Sequence, residues 1–371
     1  MAPQRPKGAG ALDTKTALSP VPVPPKSSEL YAALDLGTNS CRMLIAQPTG
    51  SGFVVVDSFS KSVQLGAGLE QTGRLSRSSM TRTVQALKIC QQKLKKNRVR
   101  NMRLVATEAC RRALNAQDFI RRVQRETGLR LDIIKPQEEA QLAVISCAPL
   151  VSRGTENLLV VDIGGGSTEL VWIDLTNVPP KERPQSIMRL HSGFTQGLSD
   201  VPSARVVDWI SVPLGVATLR DQFNDVDDDS ARFALMSWFF EENLADFAPY
   251  HDTQPTERFQ IVGTSGTVTT VAASHLGLKR YDRTKVDGLH MSTDQIDRVI
   301  RSYLALGPEG RRADPRIGQD RHALIMSGAA ILQALMRCWP TDRLSVADRG
   351  LREGLLYAQM SAHGVLEDGE F

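Results

Sequence analysis

LLVVDIGGGSTELV, residues 158–171, decides the fold class. Four apolar residues, Leu158–Val161, run into Asp162, then into a turn built from Gly164, Gly165, Gly166, Ser167 and Thr168, and a second apolar run follows. Glycines let backbone N–H groups point into one concave nest, and such nests take anions. Hydroxyls add donors, and a carboxylate can hold a hydrated Mg²⁺ beside phosphate oxygens. The same order occurs earlier: Tyr31-Ala32-Ala33-Leu34 leads into Asp35, Leu36, Gly37, Thr38, Asn39 and Ser40. One such turn is weak evidence. Two in the same strand–turn–strand setting predict two halves closing on one phosphate chain.

Outward from these turns, Leu30–Asp35, Arg42–Gln47 and Gly52–Lys61 read as a three-strand meander. Ser76 can cap a helix running to about Asn97, Arg103–Thr107 is a strand, Asp118 begins a second basic helix, and Leu131–Ile134 is a strand. Pro136 precedes Gln137-Glu138-Glu139-Ala140, the start of an apolar helix to about Cys147. The pattern restarts at Leu158, so the order is meander, crossovers and meander again, as a duplicated α/β domain predicts. A third glycine turn, Gly263, Thr264, Ser265, Gly266 and Thr267, follows the run Phe259–Val262 and opens a helix, again a phosphate-binding arrangement. Pro308–Arg321 reads as a charged loop, Ala323–Arg337 as an apolar helix, and residues 345–354 as a strand and turn before a last helix to about Ala362. Thr176–Asp208, with Pro179, Pro180, Pro184 and Pro202, reads as an insertion in a hairpin and is assigned no chemistry.

A chain of 371 residues, 41% hydrophobic and 23% charged, has ample core for two or three soluble domains. Cys41, Cys90, Cys110, Cys147 and Cys338 form no CxxC pair, which points to reduced thiols in a cytosol. The histidines show no ligand spacing, and His251-Asp252 reads as a surface turn. No apolar run reaches the ~18 residues that span a bilayer. Proline-rich residues 1–28 read as a disordered tail. Neither a membrane nor a nucleic acid is expected as a partner. Net charge is +4, but between Arg82 and Arg130 there are 14 Lys and Arg against three acids. That excess would concentrate polyanions locally; the blander alternative is a pair of solvated helix faces.

Eight ordered segments carry a resemblance: YAALDLGTNSCRMLI, VATEACRRALN, the triplet Glu138-Glu139-Ala140, VVDIGGGSTELV, VPLGVATL, GTSGTVTTVA, YDRTKVDG and ADRGLREGLL. Over about residues 30–360 the chain resembles the exopolyphosphatase / guanosine pentaphosphate phosphatase (Ppx/GppA) family, in the superfamily of actin, Hsp70 and sugar kinases. The resemblance implies two ribonuclease-H-like α/β domains, residues 29–136 and 137–351, with the active site in the cleft between them and the helix at 352–363 packing back on the first. It implies that Asp35, Gly37, Thr38, Asn39 and Ser40 form the first phosphate loop. Gly164, Gly165, Gly166, Ser167 and Thr168 form the second, and Gly263 to Thr267 the third, where kinases of the superfamily bind nucleotide. By motif position, Glu139 matches the base that activates water, Asp162 and Glu169 the Mg²⁺ carboxylates, and Arg42 and Arg111 residues that hold substrate phosphates. Longer members carry a further C-terminal helical region that contributes to long-chain binding and dimerisation. An end near residue 371 argues against tight, processive handling of long polyphosphate, and a homodimer is left open.

The expected activity is Mg²⁺-dependent removal of the terminal phosphate of inorganic polyphosphate, or of the 5′ γ-phosphate of guanosine pentaphosphate. A P-loop enzyme is excluded because GxxxxGK[ST] is absent, and a sugar kinase is disfavoured by the lack of an evident sugar-binding insertion. A non-catalytic polyphosphate or alarmone sensor would predict a lost base, whereas Glu139 is present.

Overall fold

β1 (Tyr31–Leu36), β2 (Ser40–Thr49) and β3 (Gly52–Ser62) form an antiparallel meander, and β4 (Asn101–Ala106) and β5 (Asp132–Ile133) join it parallel to β1. The order is β3-β2-β1-β4-β5. The chain then repeats itself. β6 (Asn157–Ile163), β7 (Thr168–Asp174) and β8 (Arg205–Val212) form a second meander. β9 (Phe259–Thr264) pairs parallel to β6; β10 (His290–Met291) lies antiparallel on β11 (Leu344–Ala347), which is parallel to β9. Read from β8, the order β8-β7-β6-β9-β11 reproduces the first sheet strand for strand, with β10 added at the edge. This is a duplicated ribonuclease-H-like arrangement. These statements rest on a computed structural model, which describes residues 29–192, 203–252, 258–318 and 321–367; the tail predicted at 1–28 lies outside them.

One helix ties the two sheets together. Along Pro136–Cys147, Ala140, Val144 and Cys147 pack into the core of the second sheet with Leu158 and Val160. Leu142 and Ile145 face the other way, into a cluster with Tyr31 and Ala33 of β1. A helix covered on both sides must be apolar all round, which explains its sequence. The last helix, Leu351–Ala362, buries Leu355, Leu356 and Met360 in the same cluster. The two helices cross at Gly354, where a Cβ would overlap the carbonyl oxygen of Leu142.

Three local expectations are corrected. The hairpin insertion ends at Ala204, not Asp208, because Arg205 and Asp208 already pair with Asp174 and Trp172 of β7. It is also partly packed: it contains the helix Arg183–Met188, and Val178 and Ile187 are buried. Pro308 does not begin a loop: the helix Thr293–Ala313 continues past it after a break at Gly307, whose φ is 63°. A proline at the first position of a new helical segment loses no hydrogen bond. Third, His251 and Asp252 end a short helix, Ala248–Asp252, rather than lying in a turn. All five cysteines are free, and among the described residues no helix is long and apolar enough to cross a membrane.

Candidate active site

The first two turns close alike. The Gly37 N–H donates to the Ser40 carbonyl at 3.0 Å, and the Gly164 N–H to the Ser167 carbonyl at 2.9 Å. In each sheet the aspartate sits on the central strand just before the turn, and strand register sets what lies across from it. Asp35 pairs with Arg42, while Asp162 pairs with Glu169. The duplicated position is therefore a cation in one half and an anion in the other.

The turns also touch. A Cβ on Gly165 would lie 3.2 Å from the Asn39 backbone nitrogen, and one on Gly166 would overlap Thr38 Oγ1. Glycine is required there for close approach rather than for its φ. Thr38 Oγ1 is buried with no hydrogen-bond partner among the described residues.

The third turn is capped by Ser265, whose Oγ accepts from the N–H groups of Thr267 and Val268, both at 3.1 Å. Its φ of 154° is unusual for a non-glycine residue. Arg321 braces the turn, donating to the Gly266 carbonyl at 3.0 Å and to Thr270 Oγ1 at 2.6 Å. A fourth turn, Asp348-Arg349-Gly350, completes the ring. Thr264 Oγ1 donates to the Arg349 carbonyl, and the Arg349 guanidinium grips Asp287 at 2.9 and 3.0 Å.

Together the four turns enclose a cavity of about 290 Å³. Most of the residues singled out from sequence line it: Asp35, Gly37 to Ser40, Arg42, Glu139, Asp162, Gly164 to Ser167 and Thr264 to Thr267. Four stand behind it. Thr168 Oγ1 donates to the Leu214 carbonyl at 2.7 Å, Gly263 lies within β9, and Glu169 accepts from Ser211 Oγ at 2.8 Å. Arg111, the fourth, is occupied by acids. Its Nη1 donates to Glu139 Oε2 at 2.6 Å and to the Ile134 carbonyl at 3.1 Å, while Nε and Nη2 donate to Glu108 Oε2 at 3.0 and 2.8 Å. In this arrangement it orients Glu139.

Arg42 behaves differently. It reaches across to the third turn, with Nη2 3.8 Å from a Cβ built on Gly266, and donates no hydrogen bond among the described residues. Burial lowers its pKa, and the charges of Arg352 and Arg321 lower it further against Asp35 and Asp162. A desolvated guanidinium pushed on by two others is a site for a multiply charged anion. Glu108, Arg321 and Arg352 line the cavity and were not assigned from sequence. Arg352 lies within the quoted ADRGLREGLL, but Arg321 belongs to no motif.

Opposite these cations lie buried carboxylates that disfavour one another's charge. Burial, then Glu139 and Asp35, push Asp162 up to about 8. Burial and Asp162 push Glu169 up to about 7, and burial with Glu169 raises Glu139 well above the usual range. Such an oxygen-rich, over-charged set suits a hard divalent cation. Among the described residues no three His, Cys, Asp or Glu side chains are placed to hold a metal ion by themselves.

A stability test follows from these shifts. Acids whose folded pKa is raised stabilise the metal-free fold fully below their unfolded pKa, and that stability is lost as pH rises through the folded pKa. Melting of metal-free protein should therefore fall between roughly pH 4 and pH 8, the window bounded by the ordinary carboxylate range and by Asp162. Added Mg²⁺ should raise the melting temperature more at about pH 8 than at about pH 5.5. Equal gains at both would detach these carboxylates from the ion.

Duplicated ribonuclease-H-like sheets closing on a cleft lined by glycine turns, hydroxyls and cations define the class. Residues 44–363 match the Ppx/GppA phosphatase family, and the chain belongs to it. The crystal structure of the Aquifex aeolicus Ppx/GppA family member is 28% identical with a TM-score of 0.69, covering 90% of this chain and 98% of that one. An exopolyphosphatase from Cytophaga hutchinsonii shares the fold at 22% identity, with a TM-score of 0.75 and coverage of 90% and 98%. A guanosine-5′-triphosphate,3′-diphosphate pyrophosphatase of Aeromonas salmonicida is 28% identical over 331 residues, which are 89% of this chain and 59% of the relative. The chain thus spans about three-fifths of that relative's length.

Proposed function

We propose that this chain hydrolyses the terminal phosphoanhydride bond of a polyphosphate, releasing orthophosphate. The observation that carries the proposal is the desolvated Arg42, unpaired among the described residues and facing glycine turns from both halves, with the Glu139 carboxyl in the same cavity. In the reaction, a water oxygen attacks the terminal phosphorus in line. Its proton passes to Glu139, and the bond from phosphorus to the bridging oxygen breaks. The departing chain keeps that oxygen and its added charge, which Arg42 and Arg352 neutralise. Bound Mg²⁺, near Asp162 and Glu169, would neutralise charge on the phosphate oxygens.

Inorganic polyphosphate is the first choice of substrate. The cavity lining supplies cations, hydroxyls and backbone N–H groups, and no aromatic side chain. Guanosine pentaphosphate is the second, favoured by the activity for which the Aeromonas salmonicida relative is named. The test is phosphate release from polyphosphates of several lengths, guanosine pentaphosphate and ATP, compared as kcat/KM. Polyphosphate should lead and ATP should trail. A lead for guanosine pentaphosphate reverses the ranking, and absence of turnover on all of them, with binding retained, makes the protein a sensor.

A further inference from the structure

Beside the third turn, a short loop leads into the helix Arg283–Val286. The loop is pinned to the cleft. Arg283 Nη2 donates to the Asp348 carbonyl at 2.7 Å, and Asp348 lines the cavity. Tyr281 lies two residues earlier, and 49% of it is exposed. Its hydroxyl faces the Asp348 carboxylate, whose charge adds to burial in raising the phenol's pKa, and Asp348 is part of the cavity wall. The side chain thus lies at the edge of the cleft and is half open to solvent. It pairs with no other aromatic ring among the described residues. Lys279 and Arg280 immediately precede it. Both are exposed, and neither makes an ion pair or hydrogen bond among the described residues.

A polyphosphate without a nucleoside has no use for a half-exposed ring at this edge. A nucleoside polyphosphate does: its phosphates fill the cation-lined cavity, and its base is left at the edge. Every base offers a π-face to an aromatic ring, and cations beside the ring favour further phosphate there. We propose that Lys279-Arg280-Tyr281 is the nucleoside subsite of this cleft, with a purine stacked on Tyr281 and a phosphate group on the ribose 3′ side met by Lys279 and Arg280. The proposal rests on the second substrate reading above, in which a guanosine polyphosphate is turned over.

The test compares kcat/KM for guanosine pentaphosphate, GTP and inorganic polyphosphate in the wild-type protein, Y281A, Y281F and the double variant K279Q/R280Q. Stacking is worth ~1–3 kcal/mol per base, so Y281A should lower both nucleotides about tenfold or more and leave polyphosphate within about twofold. Y281F keeps the ring and loses only the hydroxyl, so it should retain most nucleotide activity. K279Q/R280Q should bring guanosine pentaphosphate down towards GTP, which has no 3′ phosphate. Y281A lowering all three alike, or none, overturns the subsite. Wild-type protein that neither turns over nor binds guanosine pentaphosphate overturns the nucleotide reading along with it. Normal wild-type nucleotide turnover that Y281A leaves unchanged overturns the subsite alone.

Discussion

Glu139→Gln should lower turnover by ~10²–10⁴-fold, the usual contribution of a positioned base, while leaving substrate affinity within a few-fold. The substitution is nearly isosteric. The amide oxygen can still accept the Arg111 hydrogen bond that Glu139 Oε2 takes at 2.6 Å, so the side chain keeps its place and loses only its basicity. Arg111 remains held by Glu108 in the variant, which guards against a general collapse of the site. Phosphate release by the purified variant, with direct measurement of polyphosphate binding, decides the matter. Near-wild-type turnover would remove Glu139 from the chemistry.

Gly354→Ala should act on both stability and activity from outside the cavity. The added methyl would overlap a backbone carbonyl, that of Leu142, so no side chain can swing aside and the two crossing helices must separate. Overpacking of this kind costs ~1–3 kcal/mol, occasionally more, which for a protein of this size lowers melting by roughly 1–4 °C. Glu139 rides on one of those helices, one turn before Leu142. Misplacing a catalytic group by ~1 Å can cost ~10²-fold in rate, so activity measured well below the melting point should fall too. Unchanged melting would mean that the crossing tolerates the methyl.

Much of this was legible in the sequence because it is local. Strand, aspartate and glycine turn are contiguous, so both phosphate-loop candidates, the third turn and the Ser76 cap could be read directly; Ser76 Oγ does accept from the Ser79 N–H at 3.1 Å. What escaped depends on distant partners. Glu108 and Arg111 are one helical turn apart and could have been paired, but the contact from Arg111 to Glu139 spans 28 positions. Without it, Arg111 looks like a phosphate ligand. Arg321 earns its place only by reaching Gly266 and Thr270, more than 50 residues away. Pro308 misled for the opposite reason. Its local rule is strong, but Gly307 breaks the helix first and lets proline begin the next segment.

The contact between the first two turns bears on direction. Asn39 and Thr38 lie so close to Gly165 and Gly166 that neither glycine could carry a side chain, and the two halves meet there as a narrow seam. On the proposed reading, a strand of linked phosphates would come to rest with its tip at that seam and be shortened from there one unit at a time, and a ring of phosphates, having no tip, would be left whole.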